Sequence, residues 1–188
     1  MIFIGDVHGK IDEYNELTGK YPHSIQVGDL GFRDDYARIK YRPNHYMIMG
    51  NHDDYDSPPM NSLGDYGVFE KSDRLIYFIR GAYSIDQAYR REGLDWFRQE
   101  ELSYQDFSRI AEEVKSTSPE IIVSHACPKR IVDGWYNDCR DLTSQGLDYI
   151  FSCYKPKHWV FGHHHVDWSS TIDGTQFTCL NELSVLEI

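Results

Sequence analysis

No stretch of the 188 residues approaches the roughly 20 consecutive apolar residues that a membrane-spanning helix requires, so the sequence predicts a soluble chain with no membrane partner. Cysteine is scarce: Cys127, Cys139, Cys153 and Cys179 form neither a CxxC pair nor the dense spacing of a secreted disulfide scaffold, and reduced thiols are expected. Positive charge is short as well, with 19 Lys and Arg against 30 Asp and Glu and a net charge of −11. Nonspecific affinity for nucleic acid comes from Lys and Arg neutralising phosphates, so stable nucleic-acid binding is not expected. Repeats, low-complexity tracts and linkers are missing too, which predicts one domain over 1–188. Met1 opens directly on Ile2 to Ile4 and Gly5-Asp6, with no basic leader or small-residue cleavage site before them. A cytoplasmic location is the expectation.

What the sequence does contain is one pattern used five times. A short apolar or β-branched run ends at Gly or Ser, and a side chain able to bind metal follows. Ile2 to Ile4 precede Gly5-Asp6-Val7-His8, and Ile25 to Val27 precede Gly28-Asp29. Tyr46 to Met49 precede Gly50-Asn51-His52-Asp53, Ile121 to Val123 precede Ser124-His125, and Trp159 to Phe161 precede Gly162-His163-His164-His165. Continuous apolar runs of this length suit strands buried on both faces. Ligands of open sheets gather beyond the strands' carboxyl ends, so five such ends describe one site.

Between the runs, Ser103 to Ser118 reads as a helix capped by Ser103, with Phe107, Ile110, Ala111 and Val114 on one face and Pro119 as its stop. Val166 to Ile172, Gln176 to Leu180 and Leu183 to Ile188 read as closing antiparallel strands, the first two joined by Asp173-Gly174. The expected architecture is α/β, two stacked sheets with helices outside.

Asp6 and His8, one residue apart at a strand end, can grip one ion from two directions. Asp29 offers a carboxylate able to bridge two cations, Asn51 a neutral carbonyl oxygen and His125 an imidazole. Alternation of an extended chain sends His163 and His165 to one face and His164 to the other, so ligation is assigned to His163 and His165. His23, His45 and His158 lie outside any such motif and read as structural. Mixed nitrogen and oxygen ligands without thiolate suit Mn, Fe, Zn or Ni more than a site built of oxygens alone for Ca or Mg.

Taken in order, Gly5-Asp6-Val7-His8-Gly9, Gly28-Asp29, Gly50-Asn51-His52-Asp53, Ser124-His125 and Gly162-His163-His164-His165 resemble the signature of calcineurin-like metallophosphoesterases. The resemblance spans residues 5 to 165. It implies a four-layer αββα sandwich of two mixed sheets flanked by helices, with a dinuclear centre at the strand ends. It further implies that Asp6, His8, Asp29 and His165 hold one divalent ion and Asp29, Asn51, His125 and His163 a second, with manganese the ion expected to serve best, ahead of Fe, Zn, Ni or Mg. Phosphoprotein phosphatases of that family carry Asp-Arg-Gly beginning three positions after the bridging aspartate. Here those positions read Phe32-Arg33-Asp34, which keeps Arg33 as a candidate phosphoryl clamp but counts against protein phosphatase activity.

The implied chemistry is phosphoester hydrolysis. Two ions roughly 3.5 to 4 Å apart acidify a bridging water and clamp the attacking and leaving oxygens in line, so a metal-held hydroxide is the expected nucleophile. His52, next to the ligand Asn51, can give a hydrogen bond or proton to the leaving oxygen, and Asp53 can orient it through the other ring nitrogen. Specificity is expected from Tyr55 to Ser72, Gly81 to Trp96 and Lys129 to Gly146, where Trp135 and Tyr136 near Arg130 and Arg140 can stack a base and hold a phosphate, although loop packing is the simpler role. Small phosphomonoesters or phosphodiesters, nucleotides among them, rank ahead of a polynucleotide. The alternatives are a noncatalytic metal-binding docking module of the same fold, from another class, or a protein phosphatase.

Overall fold

Side chains alternate along a strand, and in this chain the alternation feeds three separate apolar clusters. A computed structural model describes residues 1–71, 74–135 and 141–188. In chain order it contains β1 (Ile2–Ile4), α1 (Ile11–Lys20), β2 (Ser24–Gln26), α2 (Arg33–Tyr36), β3 (His45–Met47), β4 (Tyr66–Lys71) and β5 (Arg74–Ile79). There follow α3 (Tyr104–Thr117), β6 (Ile121–Ser124), α4 (Lys129–Val132), α5 (Leu142–Cys153), β7 (His158–Phe161), β8 (Trp168–Ile172), β9 (Thr175–Cys179) and β10 (Val185–Glu187).

The strands form two mixed sheets, one of four strands in the order β10-β1-β2-β3 and one of six in the order β4-β5-β6-β7-β9-β8. Within them β1, β2 and β3 run parallel, as do β5, β6, β7 and β9, while β10, β4 and β8 are antiparallel additions. Phe3, Ile25, Val27, Phe78, Val123 and Val160 fill the space between the sheets. Their neighbours along the strands point the other way: Ile2 and Ile4 pack with Ile11 and Tyr14 of α1, and Tyr77, Ile122 and Trp159 pack with α3 and α5. Three apolar layers thus separate four layers of structure, the expected αββα sandwich.

Helix α3 shows how local sequence builds one outer layer. The Ser103 hydroxyl accepts from the Asp106 backbone N–H at 3.2 Å and the Asp106 carboxylate accepts from the Ser103 backbone N–H at 3.0 Å, so two orphan donors of the first turn are satisfied. At the other end Ser118 takes a left-handed conformation (φ 50°) and Pro119 follows. The buried face of Phe107, Ile110, Ala111 and Val114 contributes about 1.5–3 kcal/mol for each of its large side chains. A glycine in α5 makes the contact with it close: a methyl group at Gly146 would overlap the Phe107 ring.

The sequence pattern misplaces several elements. The last three strands do not make one antiparallel unit: β8 and β9 pair antiparallel, but β9 lies parallel to β7, and β10 crosses to the other sheet to pair with β1. Strands β4 and β5 lie outside the predicted runs, β4 within the Tyr55 to Ser72 segment expected to set specificity, and α4 and part of α5 occupy the Lys129 to Gly146 segment. No helix among the described residues is long and apolar enough to cross a membrane. Cys153 and Cys179 are free thiols, and Cys139 lies outside the described residues.

Candidate metal centre

Because the parallel strands of both sheets end on one side, the loops after β1, β2, β3, β6 and β7 converge. Two close links bring the sheets together there. The His125 Nδ1–H donates to the Val27 carbonyl at 2.8 Å, and the His163 N–H reaches the Asp6 carboxylate at 3.0 Å. Such approach requires missing side chains. A methyl group at Gly162 would overlap the Asp6 carboxylate, and one at Gly50 would sit 2.6 Å from His125 Nε2.

The backbone of the converging loops is unusual. Of the eight non-glycine residues with positive φ among the described residues, four are expected ligands: His8 (46°), Asp29 (57°), His163 (66°) and His165 (50°). This corrects the extended-chain reading of His163 to His165. The strand ends at Phe161, and left-handed backbone at His163 and His165 aims those side chains at the site. His164 faces away, its Nε2 3.3 Å from Cys127 Sγ and its ring edge-on to Trp135.

Two groups of acceptor atoms result. Asp6, His8, Asp29 and His165 form the first, and Asp29, His125 and His163 the second, with the donor atoms of each within 4.8 Å of one another. In the first, His8 Nε2 and His165 Nε2 face each other at 2.8 Å, with Asp6 Oδ2 3.3 Å from His165 Nε2 and Asp29 Oδ2 3.7 Å from His8 Nε2. In the second, His125 gives its Nδ1 proton to Val27, which turns Nε2 toward Asp29 Oδ1 and Asn51 Oδ1, each 3.2 Å away. Ligand atoms crowded this closely repel unless protons or a cation lie among them. The donor sets therefore fit two divalent ions, and they are the mixed imidazole and oxygen sets that suit transition metals.

The same crowding shifts the protonation of these side chains. Burial opposes charge on His125, but Asp29 and Asp6 overcome it and push the imidazole up to about 9. Burial likewise opposes charge on Asp29, and His125, His52 and His163 outweigh it, holding the carboxyl far below its usual range. Burial, reinforced by His125, keeps His163 neutral. A proton shared between His125 and Asp29 stands where a metal charge would.

The expected accessory residues fare differently. The ring of His52 packs edge-on against His8 with centroids 5.2 Å apart, and its backbone N–H donates to Asp29 Oδ1 at 2.8 Å. Its Nε2 accepts from Arg90 Nη2 at 2.7 Å. Asp53 does not orient His52. Its carboxylate is wholly buried and accepts from the backbone N–H groups of Asp29, Leu30, Gly31 and Gly50 at 2.7 to 3.2 Å, and from the Tyr36 hydroxyl at 3.3 Å. Burial and the Asp29 charge push this carboxyl upward, yet five donors aimed at two oxygens leave no acceptor for a proton, so the ionised form is the one that fits.

Arg33 is not in the cleft. Its side chain is 66% exposed and pairs with Asp54 at 3.1 Å, rather than with Asp34 or Asp35. The arginine that does border the site is Arg90, held by Asp86 at 2.8 Å and the Asp95 carbonyl at 3.3 Å. It belongs to the Gly81 to Trp96 segment singled out for specificity, but no local motif marks it. A cleft of about 870 Å³ opens from Asp29, Asn51 and His163 past Arg90 toward Ile85, Val132 and Leu142. Trp135 packs against Trp168 and His164, Arg130 is held by Asp148 at 2.6 Å, and neither lines this cleft. Tyr136 and Arg140 lie outside the described residues.

With two mixed sheets between helices and two acceptor groups at the strand ends, the architecture is that of metal-site phosphoesterases. The profile of the calcineurin-like phosphoesterase family matches residues 1–167, and the chain belongs to that family. No curated protein matches the sequence. Among solved structures, the protein TT1561 of Thermus thermophilus superposes with a TM-score of 0.55 at 11% identity, over 97% of this chain and 89% of that one. Phosphopantetheinyl hydrolase of Mycobacterium tuberculosis gives 0.50 at 14% identity, over 96% and 89%. At these identities the likeness is one of fold.

Proposed function

We propose that this chain hydrolyses small phosphomonoesters or phosphodiesters with two divalent metal ions held by Asp6, His8, Asp29 and His165 and by Asp29, Asn51, His125 and His163. The observation that carries the reading is the convergence of carboxylate and imidazole ligand atoms from both sheets on two points that share Asp29. Bound there, two ions neutralise phosphoryl charge and make hydroxide available at neutral pH. Around them the chain supplies position and proton control. His52 lies against His8 at the cleft, where a ring N–H can serve the leaving oxygen. Arg90 spends three N–H groups on Asp86, Asp95 and His52 and keeps two for a phosphoryl oxygen. Asp53 locks the loops that present Asp29 and Asn51. The apolar wall of Ile85, Val132 and Leu142 suits the organic part of a small ester.

The test strips the purified protein of metal, restores Mn, Ni, Zn, Fe or Mg separately, and follows hydrolysis of a chromogenic phosphomonoester beside the matching diester. Manganese is expected to restore turnover best. Asp29→Asn, which removes the carboxylate common to both ions, is expected to lose about a hundredfold to a thousandfold, as for other groups acting directly on transition-state charge. Turnover that persists without metal, or survives Asp29→Asn, would refute the proposal. The ratio of the two substrates separates monoesterase from diesterase, and silence on both with two ions bound would favour the docking module.

A further inference from the structure

The loop after β5 has an inner face that the hydrolytic reading leaves unused. Ser84 lies there, with its hydroxyl oxygen 3.1 Å from Asn51 Nδ2 and 2.9 Å from Glu100 Oε2, while its backbone N–H donates to Glu100 Oε1 at 2.8 Å. Asn51, Ser84 and Glu100 are all buried, so water is not at hand to replace any of these bonds. Glu100 stands in the one-turn helix Arg98–Glu100 that leads into α3, far along the chain from the asparagine it serves.

The hydrogen-bond polarity of the chain runs one way. Burial pushes the Glu100 carboxyl up, but the two Ser84 donors and nearby Arg90 favour its ionised form, and an ionised carboxylate only accepts, so the Ser84 hydroxyl gives its single proton to Glu100. Its two lone pairs can then only accept, and the Asn51 group facing it must be the NH2. That choice turns Asn51 Oδ1 toward His125 Nε2, at 3.2 Å, on the side of the second acceptor group. An amide free to flip would also present N–H there, and an N–H cannot bind a cation.

We infer that Ser84 and Glu100 are positioning residues, a two-step relay that fixes the orientation of the Asn51 amide and so makes it an oxygen ligand for the second ion. This rests on the metal assignment proposed above and adds to it the reason that Asn51 binds through oxygen.

The experiment titrates Mn²⁺ into the metal-stripped full chain by calorimetry, for the parent and for Asn51→Ala, Ser84→Ala, Ser84→Thr and Glu100→Gln, with circular dichroism to confirm folding. The parent is expected to bind two ions and Asn51→Ala to weaken one. Ser84→Ala should weaken that same ion by about tenfold or more, the usual effect of losing a group that orients a ligand, and leave the other unchanged. Ser84→Thr keeps the hydroxyl and should rescue binding. Glu100→Gln is the sharpest variant. Its Oε1 can take the Ser84 N–H, but its NH2 then meets the hydroxyl as a donor and releases the proton that fixed the polarity. A purely structural role would tolerate that isosteric change, whereas the relay predicts loss as large as in Ser84→Ala.

Two ions held equally well by the parent, Ser84→Ala and Glu100→Gln would overturn the relay alone. A parent that binds no Mn²⁺ would overturn the metal assignment and the relay with it. Should Ser84→Ala and Glu100→Gln fail to fold, the parent decides by NMR: Asn51 NH2 protons close to Ser84 support the relay, and NH2 protons close to the His125 ring refute it.

Discussion

The two acceptor groups share Asp29 but are held in different ways. The second is deep: His125 is 0% exposed, its ring fixed by the Val27 carbonyl, and Asn51 is tied to Ser84. The first opens to solvent, with the His8 and His165 side chains 22% and 43% exposed, and with Glu182 no closer than 3.7 Å to His165 Nδ1. Depth and external support go together because a buried ligand must have its other polar atoms satisfied inside the protein, whereas an exposed imidazole can turn to water. One half of the centre is therefore rigid by construction, and the other is the half more open to water.

The sharpest way to break this contrast is to remove what underlies the deep half. Asp53→Asn puts an NH2 against backbone N–H donors of Asp29 and Gly50, or of Leu30 and Gly31, and should cost about 3 kcal/mol, since each stranded buried donor is worth roughly 1–3 kcal/mol. Urea unfolding of the metal-stripped protein measures it. A loss below about 0.5 kcal/mol, the size of an ordinary surface change, would show that the Asp53 cluster does not hold the loops.

A chelator added to the Mn²⁺-loaded chain should release two ions in two phases about tenfold apart in rate, the low end of what ligand-supporting hydrogen bonds contribute to metal affinity. His165→Ala is expected to abolish the fast phase. A single phase, or loss of the slow one, would reverse the assignment of open and deep halves.

At the cleft the comparison narrows to two arginines. Arg90→Ala should raise KM roughly tenfold, a charge-assisted hydrogen bond being worth about 1.5 kcal/mol or more. Arg33→Ala should change kcat/KM less than about twofold, because an exposed ion pair contributes little. Steady-state kinetics on the better chromogenic ester reads both, and equal effects would restore Arg33 to the site.

These outcomes bear on what the sequence could and could not reveal. The residues at five strand ends were legible because an apolar run, a glycine or serine and a polar side chain are adjacent in sequence. Capping of α3 was legible for the same reason. The run Leu75 to Ile79 in β5 is as apolar as the others but ends at Arg80-Gly81-Ala82, with no metal-binding residue to draw attention to it. Its loop contributes support instead of ligands. Ser84, Glu100 and Arg90 become meaningful only through partners 33, 16 and 38 residues away. Asp53 was visible but misread: its place beside His52 suggested a side-chain partner, whereas burial directs its carboxylate to the backbone. The turn at His163 to His165 was missed because alternation predicts direction only while the chain stays extended.

The left-handed backbone at four ligand positions also limits how the centre can change by mutation. Sparsely populated backbone of this kind costs on the order of 1 kcal/mol or more per residue. Glycine would relieve that strain at His8, Asp29, His163 or His165 but would remove the ligand, and any ligand put back would bring the strain with it. At these positions selection for a sturdier fold and selection for a working centre pull in opposite directions. Variants chosen only for heat resistance should therefore drift toward glycine or asparagine at these four positions and lose the centre as they do.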